Sequence, residues 1–119
     1  MKVVKKAWGE EEWIVNDVYC GKRLVLNAGW RSSIHCHKNK DETFYVTRGR
    51  MLVEVGEAPD ALGERIMTSG DTLRLTPGTW HRFTGIEETE FFEFSTHHED
   101  SDTYRASESG PVPAPRDDR

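Results

Sequence analysis

His35 and His37 stand two residues apart, and on a β-strand that spacing sends both imidazoles from one face while Cys36 leaves the other. Glu42 follows His37 after a stretch long enough for a sharp turn to return its carboxylate towards the same point. His81 comes from a distant segment preceded by Pro77-Gly78, a turn that can fix where the next strand starts. Three nitrogens and one oxygen make a borderline-hard donor set. It suits one divalent ion of manganese, iron, cobalt, nickel or zinc, with manganese or zinc favoured. Taken alone, the His-x-His pair would read as two surface histidines on a strand edge.

Four protein ligands on an octahedral ion leave two positions, which suits two oxygens of a hydroxy-carbonyl compound. Moving a proton between adjacent carbons of such a compound needs a base and a polarised carbonyl. Glu93 is the candidate base. In Phe91-Phe92-Glu93-Phe94-Ser95 it alternates with Phe92 and Phe94, so it is either buried in the barrel or on an edge strand facing water. If buried, desolvation is expected to raise its pKa towards neutrality. Lys40 lies between the histidine pair and Glu42, placed to donate to a substrate oxygen or, as turn lysines ordinarily do, to point into solvent. In the run from Ser95 to Asp102, one imidazole of His97 and His98 is expected at the barrel mouth and the other in solvent. Arg82, His97 and Arg105 are the candidate substrate contacts.

These residues need strands to position them. Strand-like runs cover Glu12 to Asn16, Lys22 to Asn27, Ser32 to His37, Thr43 to Thr47, Met51 to Val55, Thr72 to Thr76, Trp80 to Thr84 and Phe91 to Thr96. Candidate turns include Asn27-Ala28-Gly29, Arg48-Gly49-Arg50, Ser69-Gly70-Asp71 and Pro77-Gly78-Thr79. About eight short strands with tight turns predict an all-β barrel or sandwich. Glu57 to Arg65 holds Pro59 and Gly63 and lacks an apolar stripe, so it is expected to be a loop. Trp80 and Phe83 are expected to pack in the barrel, whereas Trp8 and Trp13 would suggest a subunit interface if exposed.

At 119 residues the chain is the size of one domain with one modest core. Residues 1–106 are expected to form that barrel with an N-terminal strand. Residues 107–119, rich in proline and charge, are expected to be a disordered tail. The net charge of −5 comes from 16 basic and 21 acidic residues spread along the length, which argues against nucleic acid as a partner. No apolar run approaches membrane-spanning length and no leader pattern opens the chain, so a cytoplasmic location is expected. Cys20 and Cys36 form no C-x-x-C pair, which argues against a disulfide framework or a thiolate zinc site.

The order Gly29, His35, His37, Glu42, Gly49 resembles the first motif of the cupin superfamily at every position, and Gly70-Asp71, Pro77 and His81 resemble the second. Two departures stand out. The second motif is one residue shorter between Pro77 and His81 than the commonest form, and Gly85 stands where that form often has asparagine. The resemblance covers roughly Lys22 to His97 and implies a double-stranded β-helix, or jelly-roll, barrel. A narrower likeness, His-x-His-x-x-Lys-x-Glu, resembles the site of cupin-type D-lyxose isomerases, although the chain is shorter than those enzymes. It implies that Lys40 and Glu93 act as an acid–base pair on a free or phosphorylated sugar. An iron-dependent dioxygenase and a non-catalytic sugar- or effector-binding module are the alternatives. A homodimer is expected from the size of the cupin.

Overall fold

The computed structural model describes residues 1–113. Thirteen strands follow in order: β1 Lys2–Lys6, β2 Gly9–Asn16, β3 Tyr19–Leu26, β4 Trp30–Arg31, β5 His35–His37, β6 Glu42–Arg48, β7 Arg50–Ala58, β8 Ala61–Thr68, β9 Thr72–Leu75, β10 Trp80–Gly85, β11 Thr89–Thr96, β12 Thr103–Arg105 and β13 Gly110–Pro111. A 3₁₀ turn, Asp100–Asp102, precedes β12. No helix among the described residues is long and apolar enough to cross a membrane.

The strands form two antiparallel sheets, as a jelly roll requires. One runs β1-β2-β3-β11-β6-β9; in the other β10 pairs with β4 and β5 on one side and with β7 on the other, and β12, β13 and β8 extend it. Alternation along the central strands gives the interior two layers. The deeper layer is aromatic and aliphatic: Phe44, Phe83 and Phe91 meet edge to face with centroids 5.0 to 6.0 Å apart, and Trp8 meets Phe83 at 4.9 Å. Two residues further along the same strands the inward positions turn polar: Glu42 beyond Phe44, His81 beyond Phe83, Glu93 beyond Phe91 and Lys22 beyond Leu24. The apolar floor and the polar site are thus built by the same strands.

Several expectations change. Glu57 to Arg65 is not a loop: β7 and β8 form a hairpin through it, paired from Arg50 with Thr68 to Ala58 with Ala61, and Pro59 sits in its turn. Met51, Val53 and Met67 anchor the hairpin in the core, but no residue from Glu57 to Arg65 is buried, so that part carries no periodic signal. Of the run Ser32 to His37 only His35–His37 is strand, as β5; Ser32 to Ile34 form the gap after β4. There the Ser32 hydroxyl, accepting from Phe83 N at 3.1 Å, takes the place of a ladder carbonyl. Trp8 lies in the core, and Trp80, three residues before buried Phe83, is half-buried on the opposite face.

The segment from Ser107 is also corrected, as far as Pro113. The Ser107 and Ser109 hydroxyls accept from Ile34 N and Ser33 N at 2.8 and 2.9 Å, in the gap between β4 and β5. Gly110 and Pro111 then pair with Arg31 and Trp30. Hydroxyl groups that satisfy backbone N–H groups dock this stretch without a large apolar side chain. The rest of the expected tail, 114–119, lies outside the described residues.

Gly85 accounts for its own departure from the commoner asparagine. A Cβ there would lie 2.4 Å from the Asn27 carbonyl oxygen, and Gly29 N donates to Gly85 O at 2.9 Å beside it. Gly85→Ala is expected to lower stability by about 1–3 kcal/mol by overpacking, read as a lower urea midpoint; an unchanged midpoint would show that the end of β10 and the Asn27 turn part without cost.

Candidate metal centre

His35 and His37 leave β5 on one face, and β10 lies beside it with His81 directly opposite His35. Their nearest ligating atoms lie within 4.8 Å of one another. Each imidazole is oriented from behind by a backbone carbonyl. Nδ1 of His35 donates to Ser33 O at 2.9 Å, Nδ1 of His37 to Asp102 O at 3.2 Å, and Nδ1 of His81 to Thr79 O at 3.0 Å. A carbonyl can only accept, so the proton is placed on Nδ1 and each Nε2 carries a lone pair. Nε2 of His81 is buried with no hydrogen-bond partner.

Glu42, at the start of β6, brings Oε2 to 3.2 Å from Nε2 of His37 and 3.7 Å from Nε2 of His81. A carboxylate facing imidazole lone pairs is repulsive unless a cation or a proton lies between them. The electrostatics agree. Burial above all holds the His37 pKa down to about 3 and that of His81 to about 4, and pushes His35 well below its ordinary range. Burial, and next the neighbouring Glu93, push Glu42 well above the usual carboxylate range. Neutral imidazoles and a carboxyl that holds its proton only while no cation is near are what a divalent ion needs. His35, His37, His81 and Glu42 are the residues that fit it.

Lys40 and Glu93 stand beside this group, both buried. Nζ of Lys40 donates to Glu93 Oε2 at 3.0 Å and to Nδ1 of His98 at 2.9 Å, and lies 3.9 Å from Glu42 Oε1. Of the two readings of each residue, the inward ones hold. The expected basicity of Glu93 does not: burial pushes its pKa up, but the ammonium groups of Lys40 and then Lys22 outweigh that and hold it well below the usual range. Burial pulls Lys40 down, whereas Glu93 and Glu42 pull it further up, so it stays charged.

Of the expected substrate contacts, only Arg105 lines the cavity above the imidazoles. Arg82 leaves β10 on the face opposite His81, where Nη2 donates to the Ser107 hydroxyl at 3.0 Å and Nη1 lies 3.9 Å from Glu54. The side chain of His97 is half-exposed and its Nδ1 is bonded to Asp17 O at 2.7 Å. Its neighbour His98 is the imidazole at the mouth, its Nε2 donating to Asp100 at 2.9 Å.

The roles of two residues escaped the sequence reading. Asp102 accepts from the backbone N–H groups of Lys38, Asn39 and Lys40 at 3.0 to 3.1 Å and so pins the loop that carries Lys40. Lys22 is fully buried at the cavity wall. Its alternation with Leu24 and Leu26 was the available signal; for Asp102, in an acidic run that reads as solvated loop, there was none.

The fold and donor set define a jelly-roll barrel with a candidate divalent metal centre. The cupin-domain family model matches residues 22–95, and the chain belongs to that family. Similar solved structures include the capsular polysaccharide assembling protein CapF of Staphylococcus aureus, 16% identical over 89% of this chain and 31% of that one, with a TM-score of 0.78. KdgF from Halomonas sp. is 17% identical over 77% of this chain and 82% of that one, TM-score 0.68. Oxalate decarboxylase from Bacillus subtilis is 17% identical over 82% and 27%, TM-score 0.69. The chain spans about a third of the length of the CapF chains it matches. No curated protein matches it in sequence. At these identities the likeness to solved structures carries the fold.

Two outcomes are expected. His81→Ala loses stoichiometric metal, measured by elemental analysis after loading, and any metal-dependent activity with it; full metal retention would remove His81 from the ligand set. Below the raised Glu42 pKa, metal uptake displaces a proton from that carboxyl. Calorimetry in buffers of different ionisation enthalpy reads that proton, and Glu42→Gln abolishes it; equal release by both proteins would place it elsewhere.

Proposed function

We propose that the protein is a metal-dependent isomerase of the aldose–ketose type, acting on a free or phosphorylated sugar by proton transfer. The observation that carries this reading is the buried Lys40–Glu93 pair, 3.0 Å apart, lining the same cavity as His35, His37 and Glu42. A barrel that only held a metal would gain nothing from burying two further charges beside it.

The cation, when bound, would supply positive charge beside the substrate's carbonyl and hydroxyl oxygens. The protein residues divide the proton work. Glu93 takes the proton from one carbon and returns it to its neighbour, while Lys40 exchanges the hydroxyl proton between the two oxygens. The depressed pKa of Glu93 has a role in this scheme. Burial is the largest influence on that carboxyl and acts to raise its pKa, opposed mainly by the Lys40 charge. As Lys40 gives a proton to a substrate oxygen, that opposition falls away and Glu93 becomes a stronger base. Acid and base are thereby coupled. The Ser95 hydroxyl, donating to Glu93 Oε2 at 3.0 Å, keeps the carboxylate oriented.

The test is a screen of pentoses and hexoses, free and phosphorylated, with manganese- and zinc-loaded protein, followed by Glu93→Gln on the substrate found. The variant should retain metal and lose about 10²- to 10⁴-fold in turnover, and deuterium from solvent should enter the product at the migrating position with the parent protein alone. Normal rates in Glu93→Gln would end the proton-transfer role. Oxygen consumption without sugar interconversion would point to an oxygenase instead.

A further inference from the structure

The cavity above the imidazoles has a volume of about 120 Å³, and four basic and four acidic side chains line it. Among the described residues, three of the basic side chains form no ion pair with Glu93 or Glu42: Lys6 on β1, Lys22 on β3 and Arg105 on β12.

Lys22 is the most informative, being 1% exposed. Its Nζ has one carboxylate contact, at 3.4 Å to Glu11 Oε1, longer than a charge-assisted hydrogen bond. That same oxygen already accepts from Trp13 Nε1 at 2.9 Å. The Trp13 ring lies 4.3 Å from the ammonium and offers a face but no acceptor. Glu93 is the register partner of Lys22 across β3 and β11, yet its Oε2 is occupied by Lys40 and Ser95. A buried ammonium with three donors is therefore left with most of them unused, a costly arrangement unless a ligand completes it. Among the described residues, Lys6 and Arg105 have no carboxylate within 4.0 Å. Three strands thus bring under-paired cations to one cavity wall and mouth.

We infer that this is an oxyanion site, and that the ligand of the cavity is a small polyhydroxy compound bearing a carboxylate or a phosphate. Its anionic end sits against Lys22, Lys6 and Arg105 while its hydroxyl and carbonyl oxygens face the imidazole cluster. This assignment rests on the reading of the cavity as a metal-dependent sugar site and narrows its ligand class to acidic or phosphorylated sugars.

The test is binding, which does not require turnover. Calorimetric titration of the manganese-loaded protein compares a neutral pentose, the corresponding pentonate and the pentose 5-phosphate; the two anions separate carboxylate from phosphate as the preferred end. At least one anion should bind about tenfold or more tightly than the neutral sugar and weaken as salt is raised. Lys22→Met should lower that affinity about tenfold or more, and the rim variant Lys6→Ala/Arg105→Ala, which touches no buried group, should lower it several-fold with metal content unchanged. Anions that bind no better than the neutral pentose, including no binding of any of the three, would overturn the assignment. So would an anion affinity that the rim variant and a folded Lys22→Met variant both leave unchanged. Anion binding with no interconversion of any sugar would retain the oxyanion site and reject the isomerase; interconversion of neutral sugars without anion binding would do the reverse.

Discussion

The Lys40 ammonium is the interaction on which the rest of this structure depends. Glu42 and Glu93 occupy one dry pocket, and two carboxylates there would repel each other strongly. Lys40 places one positive charge 3.0 Å from Glu93 and 3.9 Å from Glu42, and its remaining donor meets the neutral His98 imidazole. Lys40 thus favours the ionised form of Glu93 while burial and Glu93 favour the protonated form of Glu42, and a divalent cation would favour the ionised Glu42. The Lys40–Glu93 pair and the candidate donor set are therefore linked in protonation through Glu42.

Holding Lys40 there is the work of residues outside the barrel strands. Asp102 takes three successive backbone N–H groups of the Lys38–Lys40 loop on its carboxylate, and its own carbonyl accepts from His37 Nδ1. Asp102 thus sets both the tautomer of the candidate ligand His37 and the position of the lysine. Beyond it, Ser107 and Ser109 close the gap between β4 and β5, and Arg82 joins them there. The buried arginine that the sequence offered as a substrate contact is a clasp holding the C-terminal stretch to the sheet.

Most of the candidate donor set was legible because its signal is local. His35 and His37 share a face by strand parity, and Glu42 and His81 stand at spacings around turns that leave little freedom. The inward side of β11 was legible for the same reason, since Phe91, Glu93 and Ser95 alternate with Phe92 and Phe94. What alternation does not specify is which of two adjacent residues faces the site when a strand ends. His97 and His98 lie just past β11, and the exchange of one for the other followed from that. The outer part of the β7–β8 hairpin, Glu57 to Arg65, and the stretch after Ser107 were misread because backbone pairing and serine hydroxyls hold them, and neither leaves a hydrophobic pattern.

The sequence by itself determined that a barrel of short strands would bring three imidazoles and a carboxylate to one point, because strand parity and turn residues act over a few positions. Only the tertiary structure decided the charge state of the site and its surroundings. The pKa of Glu93 depends on Lys40 and Lys22, which reach it from other strands, and desolvation depends on the whole barrel closing. Those contributions come from residues far apart in the chain, and no local pattern contains them.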